Sequence, residues 1–299
     1  MPADVVMIGG TGRSGSTLLG LVLGTGSDSF HLGEVDAWYR PWRAHHFVLE
    51  CRCCGSGCHV WERLADLPAR HLHRGVAERL GVRHVVDSSK SLPWIWDVDR
   101  WGRRDGLAVK HVVVWKDPCD LAYSIWKRGG KAAEWERVFV SYYRRYLDLG
   151  FDAVSVNYRR FAERPEEGLQ RLCSAIDLPY RPERLRFWEG DHHHLFGTGG
   201  IDLGSAAPIR PTSPLPEFER AWERAPEPGG EARWLIAALE AREAGAQGEP
   251  GAGSTPRRTP PLWYFKGRAL RALRRYRPQP WAPPTFRTSR PPADAGSGS

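Results

Sequence analysis

Short apolar runs alternate with longer stretches of helical spacing through most of this chain. Residues 5–8, 83–90 and 110–118 each begin as an apolar run and pass into a polar or charged turn. Residues 30–34 and 152–158 read as two further strands, the first ending in the carboxylate of Glu34. The longest runs are continuous, not alternating, as expected of strands covered on both faces in a parallel sheet. Helical spacing is predicted from residue 16 onward and over 62–80, 119–128, 132–149, 165–176, 180–188 and 231–244, with Pro165 in a first turn where its missing N–H costs little. The pattern predicts an α/β fold: a P-loop-like parallel sheet of about five strands flanked by helices.

The pattern changes at residue 248. Residues 1–247 read as one body, and 248–299 as a tail of Gly, Pro, Ser and Thr with too little apolar surface to order itself. One island, 262–276, has Trp263, Leu270, Leu273 and several arginines spaced for a short basic amphipathic helix, suited to weak contact with an anionic membrane or a partner. The formal net charge of +8 belongs to this tail: residues 251–299 hold 10 of the 43 Lys+Arg and 1 of the 35 Asp+Glu. The body is therefore nearly neutral, which argues against a nucleic-acid partner. The chain starts without a leader-like segment and has no apolar run long enough to span a bilayer, so a cytoplasmic location is expected. Six cysteines in that compartment are expected as thiols or metal ligands.

The candidate chemistry begins at Gly9–Thr17. A strand, a glycine-rich turn and a helix opening at Ser16 and Thr17 let backbone N–H groups close around a phosphate. The spacing nearly fits the nucleotide-triphosphatase loop G-x-x-x-x-G-K-[ST], but the lysine is missing and the cation sits earlier, at Arg13. That departure disfavours a triphosphate, whose β- and γ-phosphates rely on the lysine.

Residues 12–19, Gly-Arg-Ser-Gly-Ser-Thr-Leu-Leu, resemble the 5′-phosphosulfate loop of sulfotransferases that use 3′-phosphoadenosine 5′-phosphosulfate (PAPS), in the arginine form of the carbohydrate, tyrosylprotein and bacterial branches. The resemblance implies that Arg13, Ser14, Gly15, Ser16 and Thr17 hold the donor. Residues 115–124 are similar to the family's 3′-phosphate motif, with Lys116 in place of the usual arginine and Ser124 eight residues on. Gly33-Glu34 is similar to the Gly-Glu pair of the tyrosylprotein branch, which implies Glu34 as general base, with His31 as the alternative. Residues 87–91, Asp-Ser-Ser-Lys-Ser, resemble a turn of bacterial members and imply Lys90 at the bridging oxygen, with Ser88 and Ser89 capping the turn or touching phosphate. Similarity weakens later: Arg159 stands where the family has an acid, and Thr198 where it has Asn. The implied activity is in-line transfer of a sulfuryl group from PAPS to a hydroxyl, less readily an amine, of a small-molecule, carbohydrate or peptide acceptor. Three tasks follow: holding the donor, neutralising the leaving phosphate and taking the acceptor's proton; none needs an obligatory metal. An ATP-dependent small-molecule kinase and a non-catalytic nucleotide-binding module are the alternatives.

Two features stand outside this scheme. Residues 35–50 carry Trp38, Tyr39, Arg40, Trp42 and Arg43, which would line a binding mouth or pack an irregular segment. Cys51, Cys53, Cys54 and Cys58 crowd into eight residues and are candidate zinc ligands, with His59 or a distant residue completing the set. The spacing is not the paired C-x-x-C of zinc modules, and a thiol-rich turn or redox-sensitive pair fits as well.

Overall fold

A computed structural model describes residues 3–197, 203, 209–243, 259–261 and 263–264. Strands β1 (Asp4–Gly9), β2 (Ser29–His31), β3 (His84–Asp87), β4 (Ala108–Trp115) and β5 (Ala153–Asn157) form one sheet in the order β2-β3-β1-β4-β5. Every pairing is parallel. Side chains alternate across each strand, so the continuous apolar runs feed two cores. Val5, Met7, Val85, Val113 and Trp115 face one; Val6, Ile8, Val86, Val112 and Val114 face the other.

Helices α1 (Ser16–Gly24), α2 (Asp36–Tyr39), α3 (His59–Glu62), α4 (Leu72–Leu80), α5 (Leu92–Arg104), α6 (Pro118–Trp126) and α7 (Trp135–Leu147) are followed by α8 (Tyr158–Glu163), α9 (Pro165–Ala175), α10 (Pro216–Trp222) and α11 (Gly230–Glu240). Leu19, Leu21 and Leu23 of α1 and Leu169 and Leu172 of α9 fill the second core. Residues from α4 to α7 and α11 fill the first. The chain leaving β1 therefore turns to one face and the chain leaving β4 to the other. Between them lies the crevice where open parallel sheets hold ligands. Among the described residues no helix is long and apolar enough to cross a membrane.

Two expected helices differ from the structure. The helix expected over 62–80 is split, because Pro68 is extended at ψ 145 and its ring keeps Leu67 from continuing a helix. Residues 180–188 form a kinked 3-10 segment, Pro182–Glu189. Helices α2, α8 and α10 were not expected, nor was the longer α5, which starts directly after the Asp-Ser-Ser-Lys-Ser turn with Pro93 tolerated in its first turn. The strand expected over 30–34 ends at His31, so Glu34 sits on a loop.

Most of the tail, including residues 265–276 of the expected amphipathic helix, lies outside the described residues. Trp263 and Tyr264 are an exception to the expected independence of the tail. Tyr264 is 3% exposed, its Oη donates to Asp97 Oδ1 at 2.6 Å, and its ring packs near Trp96. The same carboxylate receives Arg40 at 2.6 Å. An aromatic hydroxyl that satisfies a buried carboxylate belongs to the body's core. Tyr264→Phe is expected to lower the unfolding free energy by about 2 kcal/mol, the scale of a hydrogen bond to a charged group. Deleting residues 251–299 should cost more. Urea titration checks both, and unchanged midpoints would mean that Tyr264 does not seat on the body in solution.

Candidate active site at the carboxyl edge of the sheet

Because all five strands run the same way, their carboxyl ends share one edge. Arg13 follows β1, Glu34 follows β2, Lys90 follows β3 and Lys116 follows β4. Residues scattered over a hundred positions are thus brought to one edge by sheet topology alone.

The loop after β1 is tightly clasped. Gly10 and Gly15 have φ 150 and 104, and Arg13 itself is left-handed at φ 74. A Cβ on Gly9 would stand 2.4 Å from the Tyr146 ring, and one on Gly15 would stand 2.3 Å from the Tyr158 ring. Tyr142 Oη accepts from Gly10 N–H at 2.9 Å and donates to the Lys90 carbonyl at 2.9 Å, joining the loops after β1 and β3. Tyr143 Oη donates to the Val114 carbonyl at 2.9 Å and accepts from Thr11 N–H at 3.4 Å, tying in β4. Helix α1 then opens at Gly15 with no side-chain cap and no acidic residue in its first turn. Its leading N–H groups and positive dipole end are left for an anion. Ser14 is fully buried, and its Oγ has no partner among the described residues.

Cations gather around this loop. Lys116 is 9% exposed. Its Nζ donates to Ser124 Oγ at 3.1 Å and lies 4.7 Å from the Tyr158 ring centre. Burial pulls its pKa down to about 8; Asp120 opposes the shift, while Arg13 and Arg159 add to it. Burial and then Arg128 likewise lower the pKa of Arg13. Neither Arg13 nor Lys116 makes an ion pair with a carboxylate among the described residues. Arg159 differs: its guanidinium forks onto the buried Asp120, at 3.0 Å from Nε and 2.5 Å from Nη2, and reaches the Thr212 carbonyl. The arginine at this position thus anchors α8 to α6.

Glu34 and Lys90 meet directly, Nζ to Oε1 at 2.5 Å. Glu34 N–H donates to the Leu195 carbonyl at 2.8 Å. Gly33, at φ 81, allows that approach, since a Cβ there would stand 2.1 Å from the Leu195 oxygen. Thr17 and Glu34 flank Gly197, so the carboxylate sits beside the opening of α1. His31 points elsewhere. It lies under α1 against Gly20 and is hydrogen-bonded through Nε2 to Ser88 Oγ at 2.9 Å. Burial, with His194, His192 and Lys90 adding to it, holds its pKa well below the ordinary histidine value. Ser89 Oγ accepts from Asp36 N–H at 3.0 Å, so both serines brace the turn. Asp87 is fully buried and receives His73 Nε2, Trp94 Nε1 and Ser89 N–H at 2.9, 2.8 and 2.8 Å.

Beyond Glu34 the wall is aromatic. Tyr39 and Arg40 turn inward against Trp94. His46 lies 4.2 Å from the Trp42 ring and 5.0 Å from Phe196. It is close enough to Glu34 for that charge partly to offset the burial that pulls its pKa down to about 4. Trp42 and Phe47 are exposed. Cys51, Cys54 and Cys58 converge on His193, whereas Cys53 faces His194 and lies outside that group. Thr198 lies outside the described residues.

Two solved structures share this architecture. A sulfotransferase domain from the curacin biosynthetic pathway superposes with a TM-score of 0.53 at 17% identity, covering 80% of this chain and 98% of its own. The sulfotransferase domain from the Synechococcus PCC 7002 olefin synthase gives 0.56 at 18%, covering 80% and 95%. The chain has the fold of a sulfotransferase domain. No family model and no curated protein matches the sequence.

Sequence reasoning missed the residues that shape the loop: Tyr142, Tyr143 and Tyr158, along with Arg128 and His193. The tyrosines carried a faint signal, because Tyr142, Tyr143 and Tyr146 fall on one side of a helix. Nothing local marks their targets, which lie between 29 and 132 residues away. Tyr142→Phe leaves Gly10 N–H and the Lys90 carbonyl without their shared partner. A loss of about 1–3 kcal/mol is expected in urea titration. Faster hydrogen exchange should be confined to the loops after β1 and β3, and uniform protection would show the bridge to be dispensable.

Proposed function

We propose that this edge transfers a sulfuryl group from PAPS to a hydroxyl, less readily an amine, of a small-molecule, carbohydrate or peptide acceptor. The observation that carries the reading is the pair Arg13 and Lys116: two partly or wholly desolvated cations with no carboxylate partner among the described residues, beside an uncapped helix start. Such a site is incomplete without an anion. In this reading the loop amides and Arg13 hold the 5′-phosphosulfate, and Lys116 with Ser124 holds the 3′-phosphate. The likeness to sulfotransferase domains supports the choice of sulfuryl over phosphoryl transfer. So does Asp87: a metal-dependent kinase needs a strand-end carboxylate for its cation, and the two oxygens of this one already receive three hydrogen bonds.

The chemistry assigned to the other side is equally compact. Lys90 holds Glu34 through Oε1, which leaves a second carboxylate oxygen to accept the proton of the acceptor hydroxyl. As the new O–S bond forms, the S–O bond to the donor phosphate breaks, and its electron pair stays on a phosphate oxygen near Lys90 and Arg13. His31, engaged by Ser88 under α1, is poorly placed for that proton. The aromatic wall of Trp42, His46 and Phe196 gives the acceptor a flat, partly apolar surface beside the base.

Donor binding is the first test. Adenosine 3′,5′-bisphosphate should bind without Mg²⁺ and more tightly than ADP in a calorimetric titration. Lys116 is charged below about 8 and neutral above it. From neutral pH upward, affinity should therefore fall as pH rises through that value, by up to about tenfold per unit. Lys116→Arg should abolish the fall and keep or improve affinity, because arginine stays charged and adds a bidentate fork. A strict Mg²⁺ requirement, or an unchanged pH dependence in the variant, would falsify the donor assignment.

Glu34→Gln tests the acceptor side. It should reduce sulfuryl transfer by about 10²-fold or more, the scale of general-base catalysis, while donor affinity stays within a few fold. His31→Ala serves as the comparison. If the glutamine variant turns over normally and the histidine variant does not, the base is His31.

A further inference from the structure

The cysteine turn holds a feature that sulfuryl transfer does not use. The ligand atoms of Cys51, Cys54, Cys58 and His193 all lie within 4.8 Å of one another. His193 Nδ1 is 3.4 Å from Cys54 Sγ and 3.3 Å from Cys58 Sγ. A tetrahedral zinc ion with bonds of about 2.3 Å to sulfur and about 2.0 Å to nitrogen sets its sulfur and nitrogen ligands about 3.5 Å apart. We propose that these four residues bind one Zn²⁺ in a closed, structural site.

The local backbone is shaped for it. Cys51 and Gly55 exchange backbone hydrogen bonds at 3.0 and 2.9 Å, which closes a tight turn. Gly55 and Gly57 hold φ 72 and 79, a conformation open to glycine and strained for other residues. Cys51 and Cys54 form a C-x-x-C step that the intervening Cys53 obscures in sequence. The fourth ligand comes from 135 residues beyond Cys58. His193 Nε2 lies 3.0 Å from Asp191 Oδ1, not aligned as a hydrogen bond but close enough for the carboxylate's charge to favour a proton on Nε2 and leave Nδ1 for a metal. A disulfide between any two of these thiols would leave the third and the imidazole facing it without purpose. Three thiolates and one imidazole complete a tetrahedron and leave no position for water, so the site is structural and not catalytic.

The position gives the metal a task. Arg52 N–H donates to the His194 carbonyl at 2.9 Å, and Leu195 bridges to Leu32 and Glu34. Gly197 then lies between Thr17 and Glu34. Zinc at His193 would staple the segment 191–197 to the cysteine turn and so fix the wall beside Glu34. This assignment does not depend on which group the site transfers.

The test uses the full chain purified from zinc-supplemented cells. Elemental analysis should find one zinc per chain. Replacement by Co²⁺ should give the intense d–d bands of a tetrahedral site and sulfur-to-cobalt charge transfer. Cys54→Ser and Cys58→Ser should each weaken metal binding by tenfold or more, and Cys53→Ser should leave it unchanged. Chelation should lower the Tm of the parent chain. Because the ligand variants can misfold, the cobalt spectrum of the unmodified chain decides. Absence of zinc, an octahedral cobalt spectrum, a disulfide among Cys51, Cys54 and Cys58, or equal losses from Cys53→Ser and Cys54→Ser would each overturn the proposal.

Discussion

A parallel sheet buried on both faces allows function in few places. Its strands are mostly apolar, and titratable side chains buried on them, such as Asp87 and His111, are held by partners. The polar chemistry is pushed to the strand ends, and the parallel direction collects those ends on one side. Once α1 covers one face and α6 the other, the loops after β1 and β4 diverge and leave a crevice between them. Arg13 and Lys116 follow the strands on either side of that crevice, and Tyr158 packs against Gly15 of the first loop and against Lys116.

The crevice is held open at an energetic cost. Depressing a lysine from 10.5 to about 8 corresponds to about 3 kcal/mol of lost preference for the charged form. A left-handed arginine and a buried Ser14 hydroxyl without a partner among the described residues add to that cost. Features that weaken the empty protein and share one small volume are best explained by a ligand that relieves them together. On the proposed reading, a donor with a phosphosulfate at Arg13 and the first turn of α1 and a second phosphate at Lys116 would do so. Tyr142 and Tyr143 of α7 stabilise the arrangement by hydrogen-bonding the loop backbone, while the Tyr146 ring packs against Gly9. Their partners are main-chain atoms, so they fix the shape of the loop without consuming its charge.

Much of this was legible in the sequence, for physical reasons that differ by element. The strands were readable because continuous apolar runs have few other uses. The loop was readable because its glycines sit where side chains would collide with Tyr158 or the β4 backbone. The break at Pro68 was overlooked because helical spacing continues on both sides of it. Helix α5 was obscured by a start that reads as a turn and by aspartates at 97 and 99 that are inward-facing partners of Tyr264, Arg40 and His111. Tyr264 itself was assigned to a tail whose composition is polar on average; one aromatic with a buried partner is invisible to an average. His193 was unreadable as a companion of Cys54 and Cys58 because no local rule links positions so far apart.

The two sides of the site differ in how their geometry is enforced. The phosphate side is built on strand ends and helix starts whose positions are set by the sheet. The Glu34 side is built on residues 32–58 and 191–197, largely irregular chain joined by isolated bridges at Gly33, Leu195 and Cys51. A base must be held to within a fraction of an ångström of its proton, and irregular chain rarely supplies that by packing alone. Here the segment is fastened to the loop after β3 by Lys90, Ser88 and Ser89, and to the cysteine turn through His193. On the proposed assignment, binding the donor would draw Lys90 toward the leaving phosphate and so loosen its contact with Glu34 while that carboxylate must stay in place. A second fastening that does not take part in the reaction solves that problem. It also accounts for a cysteine-rich turn lying against the acceptor wall and not elsewhere on the surface.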